Sequence, residues 1–212
     1  MFWLTAIFFC ALGGYLAGSV PFGYLAGKLK GIDIRQHGSG NIGATNAIRV
    51  LGKGIGIPVF VLDMCKGWLP VVLAKWWLAR QGFGAEMVSA GAIITGFTTV
   101  LGHMFPFWLG FKGGKGVATM AGVLIGIEPL AMFGALLAWL ALFFTTRYVS
   151  MASLASAVGV PATMALLMVY RGHWDWVELS LGLVVMVLVF IRHRSNISRL
   201  LAGTETRAGK KG

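Results

Sequence analysis

The sequence predicts an all-α integral membrane protein, and three observations carry that expectation. Hydrophobic residues make up 57% of the 212 positions and charged residues only 12%, where a soluble domain carries about 25% charged residues. The apolar residues gather in runs at 3–28, 55–79, 86–109, 117–146, 150–170 and 174–191. Each run is long enough to cross about 30 Å of hydrocarbon as a helix, and none alternates as a barrel strand does. This composition excludes a soluble globule and a disordered chain, and the 31 glycines show no Gly-X-Y period.

The first run has no basic segment ahead of it and is longer than the apolar core of a signal peptide, so it is expected to stay as a span. The run 117–146 is too long for one upright helix. Glu128-Pro129 sits inside it; proline breaks the helical ladder, and a carboxylate without a partner prefers the interface. The spacing therefore predicts two helices, 117–127 and 130–146, the first a half-span or re-entrant segment. Seven transmembrane helices result, some short or broken. Lys28–Lys53, Lys112/Lys115, Arg147 and the tail from Arg192 onward then share one face and hold 14 of the 18 basic residues. The positive-inside rule makes that face cytoplasmic, with the N-terminus outside and the C-terminus inside. A single integral membrane domain over 1–212 is expected, with no soluble domain and no internal repeat. Cys10 and Cys65 lie in apolar runs and read as small core residues, with no disulfide framework. Most tryptophans sit near run ends, as interfacial belts do.

Three polar segments fall on the basic face: 28–54, 110–119 and 192–205. In the first, Gly38, Gly40 and Gly43 permit close backbone approach, and successive N–H groups in such a loop can form an anion-binding nest. Ser39, Asn41, Thr45 and Asn46 add neutral donors, and Arg49 adds a planar fork suited to phosphate. Gly38-x-Gly40-x-x-Gly43 matches a dinucleotide fingerprint by spacing alone; no βαβ unit surrounds it, so that reading fails. In the second segment, Lys112, Gly113, Gly114, Lys115 and Gly116 open the next helix, whose N-terminus favours an anion. His103 lies one or two turns earlier. In the third, His193, Asn196 and Leu200 share a face at helical spacing. Asp63 and Lys66, three apart in an apolar run, are expected to pair or to face the bundle interior. The scattered Cys and His match no metal spacing. Phosphate-binding chemistry is what concentrates. Nucleic acid is excluded as the anion, because basic loops so close to a bilayer leave little room for a polymer and no nucleic-acid-binding motif is present.

These segments resemble the signature loops of the bacterial acyl-phosphate-dependent glycerol-3-phosphate acyltransferases. The matching stretches are Gly18-Ser19-Val20-Pro21-Phe22-Gly23-Tyr24 with Gly38-Ser39-Gly40-Asn41-Ile42-Gly43-Ala44-Thr45-Asn46, Asp63-Met64-Cys65-Lys66-Gly67, Gly102-His103-Met104-Phe105-Pro106 with Phe111-Lys112-Gly113-Gly114-Lys115-Gly116-Val117-Ala118-Thr119, and Arg192-His193-Arg194-Ser195-Asn196-Ile197-Ser198-Arg199-Leu200. The resemblance runs in order over nearly the whole chain; Ile42 stands where the family often has proline. It implies a seven-helix inner-membrane enzyme that moves a fatty acyl group from acyl phosphate to the 1-hydroxyl of glycerol 3-phosphate, the first acylation of bacterial phospholipid synthesis. It implies Ser39, Lys115, His193 and Asn196 as catalytic residues. Gly40, Asn41, Gly43, Thr45, Asn46, Arg49, Lys112, Gly113, Gly114 and Gly116 are implied to bind substrate, with Asp63, Lys66 and His103 supporting them. Acyl phosphate, glycerol 3-phosphate and membrane lipid are the implied partners, with the acyl-phosphate-producing enzyme as a candidate; no cofactor and no metal are implied.

Acyl phosphate is already activated, so no enzyme nucleophile is required, and the catalytic base stays open between His193 and the substrate's own phosphate. No His-x4-Asp exists: His37, His103 and His193 are followed five residues on by Ile42, Trp108 and Ser198. That argues against acyltransferases in which a His-Asp pair activates the hydroxyl. The competing classes are a transporter of a phosphorylated solute, which needs ligand groups near the bilayer midplane, and a structural protein whose loops bind anionic lipid.

Overall fold

The computed structural model describes residues 2–209; Lys210 and Lys211, counted in the basic tail, lie outside them. All regular structure among the described residues is helical, and it forms two compact units, residues 1–127 and 128–212. Among the described residues, five helical segments are long and apolar enough to cross a membrane, six if one bent pair counts as a span, and Val117–Ile127 is shorter. Large apolar side chains such as Phe60, Leu73, Phe133 and Leu166 are exposed along them, as on a surface that meets lipid rather than water.

The first unit holds α1 (Phe2–Gly18), α2 (Phe22–Leu29), α3 (Ala44–Leu51), α4 (Lys53–Arg80), α5 (Ala85–Met104) and α6 (Val117–Ile127), with single 3-10 turns at Ile34–Gln36 and Phe107–Leu109. The run 3–28 is not continuous. Pro21 carries no N–H and pushes Val20 away from helical geometry, so the helix ends at Gly18 and restarts at Phe22. Pro58, Pro70 and Pro161 lie inside helices without ending them. The stretch 28–54 also contains α3, too short to show as a run. At 117–146 the break falls at the expected dipeptide: α6 ends at Ile127 and Glu128 caps the next helix, with Pro129 as its first residue.

Close helix packing rests on small residues, which let backbones approach. Helix α1 lies on α5 and α6 on α4. A Cβ at Gly18 would run into the Thr99 backbone, one at Gly67 into the Thr119 carbonyl, and one at Gly122 into the Met64 carbonyl. Lys75 Nζ donates at 3.0 Å to the Gly126 carbonyl, one of the acceptors left over where α6 ends. Cys10 is buried, but Cys65 is exposed on the outer surface of α4. That helix is apolar almost all round, so periodicity could not say which way the thiol points.

The second unit holds α7 (Pro129–Thr146), α8 (Val149–Arg171), α9 (Trp176–Arg192) and α10 (Arg194–Leu201). Helix α8 packs on both α7 and α9. Arg171 Nη1 meets Glu128 Oε2 at 2.7 Å, and Asp175 caps α9 by accepting from Val177 and Glu178 N–H at 3.0 and 2.9 Å. Helices α9 and α10 bend by 59° at His193. The segment after α10 folds back. Glu205 Oε1 accepts from Asn196 Nδ2 at 2.7 Å and from Ser150 Oγ at 2.9 Å, and Oε2 accepts from Arg199 Nε at 2.7 Å. Partial burial pushes the Glu205 carboxyl up, but the hydrogen bonds from Asn196, Arg199 and Ser150 outweigh it and leave it below its ordinary 4.5.

Two outcomes follow from this packing. Gly122→Leu drives a side chain into a carbonyl that cannot yield, so it should cost about 1–3 kcal/mol or more and lower the melting temperature in detergent. Gly54→Ala, where a Cβ meets nothing, should leave melting unchanged or slightly raised; equal melting of the two variants would contradict this packing. For Glu205 the carboxyl is depressed, so its contribution is present above its ordinary pKa and disappears as pH falls through its folded value. The melting difference between wild type and Glu205→Gln should be constant above about pH 5 and shrink below pH 4.5. A difference that persists into acid would refute the ionised cluster.

Candidate active site

The first loop is shaped by two self-contained polar contacts. Asp33 caps the turn at Ile34–Gln36, accepting from the Arg35 N–H at 3.1 Å, and takes the Arg35 guanidinium in a fork, Nε to Oδ1 at 2.9 Å and Nη2 to Oδ2 at 2.6 Å. The hydrogen bond from Arg35 lowers the Asp33 carboxyl to about 2, so the pair is ionised at neutral pH and nearly cancels. The chain then reverses through Gly38 and Gly40, at φ 60° and 69°, a region that L side chains rarely enter. Asn46, buried in the first turn of α3, closes the reversal. Its Oδ1 accepts the Ser39 N–H at 2.9 Å, and its Nδ2 donates to the Ile34 and His37 carbonyls at 3.2 and 3.1 Å.

Asn41 does the same on a smaller scale, its Oδ1 accepting the Gly43 N–H at 2.8 Å, and the Gly40 N–H goes to the His37 carbonyl at 3.0 Å. The Ser39, Gly40 and Gly43 N–H groups, which the sequence offers as an anion nest, donate within the loop itself, because short amide side chains outcompete solvent for nearby backbone. Asn46, with both ends of its amide occupied inside the loop, sets its shape. Of the side chains with phosphate-suited groups that the sequence singles out here, Ser39, Thr45 and Arg49 are exposed, whereas Asn46 is buried.

The second loop leaves α5 through the Phe107–Leu109 turn and returns to it. The Gly113 and Gly114 N–H groups donate to the Met104 and His103 carbonyls, both at 3.1 Å. Gly114 is buried flat on the His103 imidazole, where any Cβ would collide with the ring, and Gly116 sits against Met104 at φ 82°. This leaves Lys112 exposed and Lys115 half-buried, two residues before α6, whose first N–H groups have no intrahelical acceptor. Leu109 packs on the apolar cluster of Ile34, Ile42, Ala47 and Val59. The first two polar segments are thus seated on one apolar floor.

Beneath them lies a buried polar chain built on the Asp63–Lys66 ion pair. Lys66 Nζ is 2.8 Å from Asp63 Oδ1 and donates at 2.7 Å to the Val20 carbonyl, at the break between α1 and α2. Asp63 Oδ1 is 3.6 Å from His103 Nδ1. All three side chains are at least 95% buried.

In the second unit His193 is buried at the bend. Its Nδ1 lies 2.8 Å from the Val189 carbonyl, and a carbonyl can only accept, so the neutral ring carries its proton on Nδ1 and Nε2 is the basic nitrogen. Asn196, buried one turn on, gives its Nδ2 to Glu205. A carboxylate cannot donate, which fixes the amide with Oδ1 turned away from Glu205. Ser150, Arg199 and Glu205 were missed as residues that shape this end of the chain. The available signal was that Glu205 is the lone carboxylate in the otherwise basic segment 192–212.

Comparison with known proteins gives the family. Residues 8–203 match the family model for glycerol-3-phosphate acyltransferase. Similar curated relatives include the glycerol-3-phosphate acyltransferase of Aquifex aeolicus, 42% identical over 94% of this chain and 97% of the relative, and that of Trichlorobacter lovleyi, 45% identical over 96% and 98%. Among solved structures, the integral membrane glycerol 3-phosphate acyltransferase PlsY (YgiH) in its glycerol 3-phosphate form superposes with a TM-score of 0.83, at 42% identity over 96% of each chain. Its lysophosphatidic acid form gives 0.80 at 41% identity, over 96% of this chain and 95% of that one. The chain therefore belongs to the glycerol-3-phosphate acyltransferase family of integral membrane proteins.

Proposed function

We propose that this protein transfers a fatty acyl group from acyl phosphate to the 1-hydroxyl of glycerol 3-phosphate, giving lysophosphatidic acid and inorganic phosphate. The observation that carries the reading is the pair of oxyanion-suited loops on one apolar floor, the Ser39 reversal held by Asn46 and the Lys115 loop pinned to the end of α5. Support comes also from the similar structures, which were solved in glycerol 3-phosphate and lysophosphatidic acid forms. The concentration of basic residues in the polar segments supports a site at the cytoplasmic face of the bacterial inner membrane.

The glycerol hydroxyl oxygen attacks the acyl carbonyl carbon, the carbon–oxygen bond to phosphate breaks, and phosphate leaves with the bonding pair. The hydroxyl proton ends on the departing phosphate, so atoms and charge balance without an enzyme-bound intermediate. Ser39, through its hydroxyl, and Lys115 hold the acyl-phosphate end and steady the leaving charge, with Gly40 and Asn41 shaping the first loop and Gly113, Gly114 and Gly116 the second. Arg49, Lys112 and Thr45 orient glycerol 3-phosphate. The acyl chain lies among the apolar helices, entering from the lipid, and the enzyme that makes the acyl phosphate is a natural supplier.

The test is phosphate release by the purified protein. It should require both acyl phosphate and glycerol 3-phosphate; release from acyl phosphate alone, or equal turnover with an acyl thioester, would overturn the donor assignment. Ser39→Ala and Lys115→Ala should each lower kcat by about 100-fold or more, the usual cost of one oxyanion contact. Arg49→Ala should act chiefly on KM for glycerol 3-phosphate. Unchanged turnover in the first two variants would remove these roles.

A further inference from the structure

We propose that the buried Asp63–Lys66–His103 chain is the positioning hub of the active site, setting the Ser39 and Lys115 loops relative to each other without touching substrate. The inference rests on the reaction proposed above and deepens it. Burying an ion pair brings no sure gain in stability, since well-packed apolar residues of the same volume often do as well. A geometric role explains it better. From Asp63 one arm of the chain runs to His103 at 3.6 Å. The His103 ring is the floor on which Gly114 lies, and the His103 carbonyl takes the Gly114 N–H. Lys115 is the next residue, so the tilt of the imidazole sets where its ammonium stem begins.

The other arm runs through Lys66 to the Val20 carbonyl at 2.7 Å, which fixes where α2 starts. Helix α2 carries this to the first loop by direct contact: Gly23 lies so close to the Ile42 carbonyl that no Cβ fits between them. Ile42 is the third residue after Ser39. One carboxylate thus joins two arms, each ending within three residues of a group assigned to the acyl phosphate. Positioning of this kind matters because a misplacement of about 1 Å in a reacting group costs on the order of 100-fold in rate.

The experiment uses the full-length enzyme in detergent, with acyl phosphate and glycerol 3-phosphate, and measures kcat, both KM values and melting temperature. His103→Ala should lower kcat about tenfold and leave KM for glycerol 3-phosphate within about twofold. In a Lys115→Ala background the same change should cost less than about twofold, because the group it positions is gone. The combined Asp63→Asn, Lys66→Met variant carries no buried charge and should stay folded. It should nevertheless remain slow, and its loss should likewise shrink in the Ser39→Ala and Lys115→Ala backgrounds. Two results overturn the inference alone: losses that multiply in full with those of Ser39→Ala and Lys115→Ala, or wild-type turnover in the charge-free variant. Wild-type turnover in Lys115→Ala by itself would instead sink the catalytic reading on which the inference stands. Should His103→Ala fail to fold, the charge-free pair decides the matter on the same terms.

Discussion

A peptide carbonyl released within an apolar layer has no water to turn to, and each interruption of this chain has to answer for the ones it releases. At the Ser19–Pro21 break the answer is Lys66, which reaches the Val20 carbonyl from α4. An ammonium buried there is itself costly, so Asp63 sits one turn away to neutralise it. At the end of α6 the answer is Lys75 on the Gly126 carbonyl. Within the second unit, Glu128 at the start of α7 finds Arg171. The few charges within apolar runs are therefore tied to the places where the helices stop.

The same economy governs the polar loops. An arginine close to the candidate site is cancelled by its own carboxylate, Arg35 by Asp33, while Arg49 on the next helix is exposed. Two asparagines in the first loop are consumed by backbone. Shape is thus assigned to neutral amides and glycines, and charge to a few lysine and arginine side chains that the loops hold out. In the second unit Glu205 has the shaping role, joining Ser150, Asn196 and Arg199 in one cluster.

The helical membrane architecture was legible because it depends on long runs of one residue class, and the Glu128-Pro129 break because proline and a carboxylate coincide there. The break at Pro21 was hidden: its neighbours are as apolar as the helix on either side, and Pro58, Pro70 and Pro161 are tolerated inside helices. What separates Pro21 is the lysine that receives the freed carbonyl, and that partner is 46 residues away. The short helix α3 was hidden by its length. In the first loop, residue types were legible and their assignments were not. Asn46 looks like a donor to substrate until its carbonyl partners, nine and twelve residues back, are seen. Glu205 escaped attention because a carboxylate reads as the wrong sign in an anion site, whereas its task is to fix the groups around it.

Under the proposed reaction, a site assembled in this way is matched to its donor. It offers orientation and positive charge but no His-x4-Asp pair to drive a reluctant nucleophile. With a thioester donor the leaving group is a thiolate, and a lysine loop in the role proposed for it would have no phosphate oxygens to grip as the bond breaks. With acyl phosphate, the group that departs is the group being held, and its negative charge grows where the cations already stand. Stabilisation that increases along the reaction coordinate is what lowers a barrier. Under the proposed reaction, the loops that recognise phosphate and the loops that accelerate its departure are therefore the same, and the geometry of Ser39 and Lys115 matters more than the strength of any single base.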